Sequence, residues 1–243
     1  MKILGVIPAR YDSSRFPGKP LVEIMGKPMI QRVVEQVNKC SLIDEVIVAT
    51  DDKRIAEIVL NTGGKVVITR KDHCSGTDRI GEVLEKLNRE GHHYDIVVNI
   101  QGDEPFIDPK QIEEVLSLFN IPEVQIATLA KKIISDEEIN NPNVVKVVFG
   151  NSAQALYFSR SSIPFLRNKT DHTTYFKHIG MYAYKTDVLS QLVKLVPTPL
   201  EIAESLEQLR WLENGFRVQI HVTEFESVAI DTPDDLQKLT NNP

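Results

Sequence analysis

The sequence has few cysteines, no long apolar segment and no excess of positive charge, and each absence excludes a class of protein. Its 243 residues include two cysteines, which are too few for a disulfide framework. No apolar run approaches the ~20 residues of a membrane helix, and the N-terminal MKILGVIPAR lacks the features of a secretory signal peptide. The net charge of −6 argues against a protein that coats nucleic acid. We therefore expect a cytoplasmic protein with no nucleic-acid or membrane partner and with a sizeable core.

Common metal and nucleophile motifs are also missing. His73 and Cys74 are adjacent, His92 and His93 are adjacent, and no pair has the spacing of zinc ligands. Residue order alone supports no Ser–His–Asp triad, and the chain contains neither a Walker A nor a G-x-G-x-x-G sequence. We find no internal repeat, low-complexity run or clear linker.

Strand-like and helix-like segments alternate over roughly residues 1–120. Apolar segments predict strands at KILGVI, EVIVAT, KVVIT and DIVVNI. Amphipathic segments predict helices at MIQRVVEQV, KRIAEIVLNTGG, DRIGEVLEKLN and PKQIEEVLSLF. This βαβαβαβ pattern predicts an α/β fold with a mostly parallel, doubly wound sheet.

The second half of the chain has shorter, more closely spaced segments. VQIATLAKKI, NVVKVVF, QALYFS and HIGMYAYK predict strands, some of them antiparallel. Next come helices at TDVLSQLVKL and PLEIAESLEQLRWLENG, strands at RVQIHVTEF and SVAID, and a helix at PDDLQKLT, while LRNKTDHTT (166–174) predicts an exposed loop. We expect one domain over 1–243, with an α/β part at 1–120, a smaller β-rich lobe at about 121–200 and a return to the main sheet at 201–243.

The loop after the first strand concentrates positive charge in an acidic chain. Arg10, Arg15 and Lys19, against Asp12, leave a local excess of two positive charges, and Gly18 allows a ligand to approach the backbone closely. Ligands bind at the carboxyl ends of strands in open α/β sheets, which is where this loop falls. Forked guanidinium groups and a point-charge ammonium suit a polyphosphate, so the loop predicts a triphosphate-binding site.

The same loop, IPARYDSSRFPGKPL, resembles the signature of the sugar-activating cytidylyltransferases, most closely the branch that activates 3-deoxy-D-manno-octulosonate (KDO). The resemblance continues in order through VATDD (48–52), SGTDR (75–79), NIQGDEP (99–105), ALYFSRSSIP (155–164), KHIGMYAY (177–184), SLEQLRWLENG (205–215) and IDTPDDL (230–236). It implies a GT-A-like nucleotidyltransferase fold. The implied reaction transfers a cytidylyl group from CTP to the anomeric hydroxyl of KDO, releasing pyrophosphate, for lipopolysaccharide biosynthesis.

The resemblance also assigns residues, a cofactor and a partner. It implies catalytic roles for Lys19, Asp103 and Arg15, a magnesium ion on Asp103 and Asp231, and a homodimer formed through the lobe near residues 155–190. The implied nucleotide-binding residues are Pro8, Ala9, Arg10, Arg15, Lys19, Ser75, Gly76, Thr77 and Gln101. The implied sugar-binding residues are Gln101, Glu104, Arg160, His178, Tyr182, Glu207 and Gln208.

Several of these residues have ordinary structural explanations that the sequence leaves open. Asp103 and Asp231 each lie two residues before a proline and could cap helices, as could Asp51 or Asp52 in ATDDKRI. Hard oxygen ligands at strand ends nevertheless suit Mg²⁺, and both roles can coexist. No spacing in the chain selects cytosine, and no residue stands out as a general base.

Three alternatives to the KDO reaction remain at this point. The same chemistry could act on 8-amino-KDO or on a sialic acid. The fold could serve a GT-A glycosyltransferase, although three loop cations exceed what a nucleoside diphosphate sugar requires. A non-catalytic nucleotide-binding module is the third alternative.

Overall fold

The computed structural model describes residues 1–12, 16–168, 173–226, 228–230 and 232–241, with side chains up to residue 237. It divides into two compact units, formed by residues 1–113 with 226–243 and by residues 114–225. The predictions on Arg15 and Asp231 fall outside the described residues, as does the centre of the loop expected at 166–174. No helix in the described part of the chain is long and apolar enough to cross a membrane.

Strands and helices alternate along the described chain. The strands are β1 (Ile3–Ala9), β2 (Glu23–Ile24), β3 (Lys27–Pro28), β4 (Glu45–Thr50), β5 (Lys65–Ile68), β6 (Ile96–Asn99), β7 (Ile126–Lys132), β8 (Lys146–Phe149), β9 (Ala155–Ser159), β10 (Phe176–Lys185) and β11 (Val218–Val222). The helices are α1 (Met29–Val37), α2 (Lys53–Asn61), α3 (Gly76–Arg89), α4 (Pro109–Ser117), α5 (Asp136–Asn140), α6 (Thr186–Leu192), α7 (Pro199–Glu204), α8 (Gln208–Glu213) and α9 (Pro233–Asn241). Short 3₁₀ helices occur at Lys19–Leu21 and Leu118–Asn120.

A parallel sheet in the order β6–β1–β4–β5 forms the centre of the first unit. Strand β1 pairs with β4 on one side, up to Ala9 opposite Thr50, and with β6 on the other. The chain thus adds strands on one side of β1 and then crosses to the other, an arrangement that creates a crevice at the carboxyl ends of neighbouring strands. The largely parallel α/β arrangement predicted from the sequence is confirmed.

Apolar burial accounts for the elements of this first unit. All four residues of β6 are buried, as a strand covered on both faces requires. Helix α1, predicted over MIQRVVEQV, buries its five apolar residues, namely Met29, Ile30, Val33, Val34 and Val37. Removing such surface from water stabilises the fold by roughly 25 cal/mol per Å².

The second unit contains the antiparallel pairing expected of the second half. Strand β10 pairs antiparallel with β7 and, through Lys177 and Lys146, with β8, while β8 pairs antiparallel with β9. Strand β11 pairs in parallel with β7. The pairing of β10 with β7 shifts register between Ile179 and Tyr182, which marks a bulge.

The single helix predicted over PLEIAESLEQLRWLENG is wrong, because the chain forms α7 and α8 with a break between them. Ser205 takes the left-handed conformation (φ 51°, ψ 49°), which ends α7. Arg160 explains the break: its Nε donates to the carbonyl of Glu204 (2.7 Å) and its Nη2 to that of Ser205 (3.3 Å). These carbonyls are thus satisfied outside the helix.

The C-terminal third also differs in detail from the sequence prediction. The described part of SVAID, residues 228–230, is not a strand; Ile230 instead donates its N–H to the Asp103 carbonyl at 3.0 Å. Its side chain packs with Ile24 and Met29. Strand β11 pairs with β7 inside the second unit, which runs to residue 225, and residues 226–243 belong to the first unit.

Candidate active site

A pocket of about 260 Å³ opens in the first unit, where β1 and β6 end. This volume is close to the lower end of the range for small-molecule sites. The lining residues come from the loop after β1, the start of α3 and the loop after β6: Pro8, Ala9, Arg10, Lys19, Pro20, His73, Cys74, Ser75, Gly76, Arg79, Gln101, Gly102 and Asp103. The structure thus brings together most of the residues that the sequence analysis assigned to the nucleotide.

Lys19 and Asp103 form the most sharply defined contact in this pocket. The Lys19 Nζ lies 2.6 Å from Asp103 Oδ2, and the two side chains are only 13% and 23% exposed. Gly18, in the left-handed conformation (φ 73°), starts the 3₁₀ helix that holds Lys19. The ammonium is therefore fixed at the pocket surface, and the described pocket residues include Asp103 as their single carboxylate.

The start of α3 also lines the pocket, through Ser75 and Gly76. Ser75 caps the helix, accepting a hydrogen bond from the Asp78 N–H at 3.1 Å. The first N–H groups of a helix have no partner within it, and the helix dipole is positive there, so this end favours an anion. Thr77, which the sequence analysis also assigned to the nucleotide, is buried in the first turn and does not line the pocket.

Arg79 is a pocket cation that the sequence analysis did not propose. It is almost fully buried, donates to Thr69 Oγ1 through Nη1, and lies 3.5 Å from Asp51 Oδ1. Arg79 lies one turn into α3, and its acceptors Asp51 and Thr69 follow β4 and β5. The sequence could have indicated Arg79 as a pocket residue only if the register of the sheet had been known. Asp51 therefore faces a pocket residue, whereas Asp52 caps α2, as the sequence suggested for one of the two.

Gly102 allows the loop after β6 to approach β1. A Cβ atom at this position would lie 2.7 Å from the Pro8 carbonyl oxygen, closer than real Cβ contacts. Because that oxygen belongs to the backbone of β1, it cannot move aside without shifting the pocket wall. The glycine therefore sets the separation between Pro8 and the residues that flank it in the loop, Gln101 and Asp103.

We expect Gly102→Ala to weaken CTP binding by about tenfold and to lower the free energy of unfolding by about 1–3 kcal/mol, the usual cost of overpacking. Calorimetric titration with CTP and urea unfolding measure the two effects. Gly150→Ala is the matched control, because a Cβ atom there meets nothing within 4 Å. Equal CTP affinity in Gly102→Ala and the parent would contradict the proposed role of the close approach.

The residues assigned to the sugar lie mostly in the second unit. Arg160 uses three of its five N–H donors on backbone carbonyls, those of Glu204, Ser205 and Pro142. Glu207 begins α8 at its N-cap position, and Gln208 is the buried first residue of that helix. Of the two assigned residues in the first unit, Gln101 lines the nucleotide pocket, whereas Glu104 is buried in the turn and does not.

His178 is neutral and has a defined tautomer. Its ring packs edge-on against Phe158 at 5.1 Å, and its Nε2 lies 3.0 Å from Thr128 Oγ1. That hydroxyl also lies 2.7 Å from the carbonyl of Met181, which can only accept, so the Thr128 proton goes to the carbonyl. Nε2 therefore carries the imidazole proton and donates to Thr128, which leaves Nδ1 as an acceptor.

Tyr182 places a hydroxyl group without a partner beside this histidine. Its ring lies 5.2 Å from His178 and 4.9 Å from Trp211, and its buried Oη has no hydrogen-bond partner among the described residues. Burial raises the pKa of Tyr182 well above its usual value, and the nearby Tyr184 and Glu207 raise it further. A buried polar group of this kind calls for a partner, which a sugar hydroxyl could supply.

Burial lowers the pKa of His178 to about 3, against about 6.5 in an unfolded chain. Between these values the unfolded state binds more protons, so stability is retained above pH 6.5 and falls as the pH drops towards 3. We expect the urea midpoint of the parent to fall between pH 7 and pH 4.5 by more than that of His178→Gln. His93→Gln, which removes an exposed histidine, should follow the parent. Parallel pH curves for the parent and His178→Gln would contradict the assignment.

Comparisons with known proteins agree with these features. The family model described as Cytidylyltransferase matches residues 4–225. The chain is 51% identical to the 3-deoxy-manno-octulosonate cytidylyltransferase of Cytophaga hutchinsonii, over 99% of this chain and 97% of that protein. It is 53% identical to the enzyme of the same name from Phocaeicola vulgatus, over 98% and 96% of the two chains.

A solved structure shows the same relationship in three dimensions. The structure of CMP:2-keto-3-deoxy-manno-octonic acid synthetase complexed with CTP matches with a TM-score of 0.93 and 45% identity, over 99% of this chain and 98% of that one. The nucleotidyltransferase fold implied by the sequence resemblance is therefore confirmed. The chain belongs to the cytidylyltransferase family and, within it, to the 3-deoxy-manno-octulosonate cytidylyltransferases.

Proposed function

We propose that the chain transfers the cytidylyl group of CTP to the anomeric hydroxyl of KDO, giving CMP-KDO and pyrophosphate, and that the pocket of the first unit binds CTP. CMP-KDO is the activated sugar for lipopolysaccharide assembly. The observation that carries the proposal is the Lys19–Asp103 pair, held at the carboxyl ends of β1 and β6 next to Arg10 and the start of α3. Cations beside a carboxylate are the groups that a nucleoside triphosphate and its metal ion require, and the family is described as Cytidylyltransferase.

The triphosphate would be bound mainly by charge. Arg10, Lys19, Arg79 and the N-terminus of α3 all line the pocket. Arg15 is assigned here by the sequence resemblance alone. Such an array stabilises the negative charge that develops on the phosphate oxygens when the anomeric oxygen attacks the α-phosphorus and the bond from that phosphorus to the α–β bridging oxygen breaks, releasing pyrophosphate.

Magnesium fits the donor set of this pocket. Asp103 offers a hard oxygen ligand at the pocket surface, and Mg²⁺ usually takes one or two carboxylates together with substrate phosphates and water. Asp103 would hold the ion together with Asp231, which we assign from the sequence. When bound, the ion would neutralise charge on the phosphates and make the anomeric hydroxyl more acidic. Lys19, for its part, holds the Asp103 carboxylate in one orientation.

For the sugar acid, the candidate groups are those of the second unit. The two remaining N–H donors of Arg160 would receive the carboxylate, and Tyr182 Oη and His178 Nδ1 would contact hydroxyl groups. Because His178 is neutral and already donates from Nε2, it would position the sugar rather than transfer a proton. The proton of the anomeric hydroxyl would pass to Asp103 or to water.

A pyrophosphate-release panel tests the reaction directly. It crosses CTP, UTP and ATP with KDO, 8-amino-KDO and sialic acid in the presence of Mg²⁺. We expect release only with CTP and KDO together. Release with another sugar acid would reassign the substrate, and CTP binding in calorimetry without turnover on any sugar would favour a binding module. If CMP-KDO were consumed in the presence of an acceptor and no pyrophosphate were released, the result would favour a glycosyltransferase.

The proposed assembly is a homodimer formed through the second unit, in the cytoplasm where CTP is made. The proposal rests on the family resemblance, and Ile134 and Phe165, which are 91% and 88% exposed, are apolar side chains that such an interface would cover. Both cysteines are unpaired, as in a reducing compartment. Light scattering of the parent and of Phe165→Asp measures the assembly; a monomeric parent would contradict it.

A further inference from the structure

Tyr11 follows Arg10 in the loop after β1, the segment that carries Arg10 and Lys19 (the cationic loop). A hydrogen bond also joins Tyr11 to Gly18, the residue before Lys19. The Tyr11 carbonyl accepts this hydrogen bond from the Gly18 N–H at 2.9 Å, which closes the loop on itself. A Cβ atom on Gly18 would lie 3.1 Å from Tyr11 Cε2, so the glycine backbone packs against the ring. Tyr11 thus contacts both ends of the segment that presents the two cations.

Sheet register places a second element next to this ring. Because β1 and β4 are parallel neighbours that both end at the pair Ala9–Thr50, the segments that carry Tyr11 and Asp52 leave the same end of the sheet. The guanidinium carbon of Arg54 lies 3.5 Å from the centre of the Tyr11 ring. This is the geometry of a cation–π contact between the start of α2 and the loop after β1.

Asp52 fixes the arginine that makes this contact. Its carboxylate caps α2 through the Arg54 N–H at 2.9 Å and accepts from Arg54 Nε at 3.0 Å and Nη2 at 2.6 Å. The hydrogen bonds from Arg54 lower the pKa of Asp52 to about 2, so the pair stays charged across the working pH range. These hydrogen bonds hold the guanidinium carbon of Arg54 over the Tyr11 ring, although the Arg54 side chain is 56% exposed.

We propose that Arg54 is a positioning residue for the reaction: by its contact with Tyr11 it holds the neighbouring Arg10 and, through Gly18, Lys19 in the positions that receive the triphosphate. The inference rests on the proposed function, because it assumes that the cationic loop binds CTP. Arg54 acts through Tyr11 and does not line the pocket, so its effect is on the arrangement of the pocket cations.

Substitutions at positions 54 and 11 distinguish the cation–π contact from a general effect of positive charge. A lysine would keep the positive charge but could not make the two parallel hydrogen bonds to Asp52 or lie flat on the ring. A phenylalanine at position 11 would keep the aromatic face, whereas a leucine would not. The two substitution pairs therefore separate stacking from a general electrostatic effect on the nucleotide.

The test measures CTP affinity by calorimetry, together with kcat and KM for CTP, in Arg54→Met, Arg54→Lys, Tyr11→Phe, Tyr11→Leu and the Arg54→Met/Tyr11→Leu double variant. We expect Arg54→Met, Arg54→Lys and Tyr11→Leu each to raise Kd and KM by about 3- to 10-fold, the worth of a cation–π contact, with kcat within about threefold of the parent. Tyr11→Phe should stay within about twofold of the parent. The double variant should bind within about twofold of either single variant.

Arg89→Ala is the matched control, since it removes an exposed arginine from an ion pair at the far end of α3 and should leave Kd unchanged. Full affinity in Arg54→Lys, additive losses in the double variant, or an equal loss in Arg89→Ala would overturn the proposal. Urea midpoints show whether each variant is folded. If the parent does not bind CTP, the proposed function itself is refuted. If the parent binds CTP and Arg54→Met binds it equally tightly, only this inference is refuted.

Discussion

Replacing Lys19 with alanine will lower kcat by about 10²- to 10³-fold while weakening CTP binding by no more than about tenfold. The range is that for removing one group that stabilises developing charge in a transition state. Lys19 is fixed by Asp103 at the pocket surface, so its charge is already oriented when the reaction begins. Steady-state and single-turnover kinetics, with calorimetric Kd values for CTP, separate the two effects.

Lys65→Ala is the control for this experiment. Lys65 also forms a 2.6 Å ion pair, with Glu45, but it begins β5 and so lies at the amino end of the parallel sheet, away from the pocket. It should turn over like the parent. A loss of affinity in Lys19→Ala as large as its loss of turnover would mean that the lysine binds substrate and transition state equally, contrary to its proposed role.

Replacing Asp103 with asparagine will lower kcat/KM by about 10²-fold and raise the Mg²⁺ concentration needed for half-maximal activity. An amide keeps the shape of the carboxylate but loses the charge that attracts a divalent ion, an interaction worth several kcal/mol. The carboxylate is also the partner of Lys19, so that ammonium loses its charged anchor as well. We expect the same direction of change for Asp231→Asn.

Asp95→Asn provides the comparison. Asp103 follows β6, whereas Asp95 precedes it. The Asp95 carboxylate accepts a hydrogen bond from the Lys2 N–H at 2.6 Å, at the amino ends of β1 and β6 and away from the pocket. Magnesium titrations of the parent and Asp95→Asn should coincide. If the titration of Asp103→Asn coincided with them too, Asp103 would not be a magnesium ligand.

The elements of the first unit were predictable because each has a clear pattern of apolar residues. Helix α1 spans the predicted MIQRVVEQV, and β6 is apolar throughout. The break between α7 and α8 was not predictable, since the sequence continues a helical pattern through Ser205. What ends the helix is Arg160, 45 residues away along the chain and invisible to any local pattern.

The candidate site divides in the same way. Arg10, Lys19 and Asp103 follow strand ends and could be placed at one edge of a sheet from their positions alone. Arg79 and Gly102 could not, because their roles depend on contacts with Thr69 and with the Pro8 carbonyl. The resemblance to a family supplied the substrates, which no spacing in the chain indicates.

The contact of Ile230 has a consequence for the order in which the pocket is completed. Its N–H donates to the Asp103 carbonyl, and its side chain packs with Ile24, Met29 and Phe16, the last of which belongs to the loop between Arg10 and Lys19. On a ribosome, residues 8–103 emerge well before this segment does. Until residue 230 has been synthesised, Asp103 and Phe16 both lack their contacts with Ile230. Nucleotide affinity will therefore be among the last properties that a growing chain acquires.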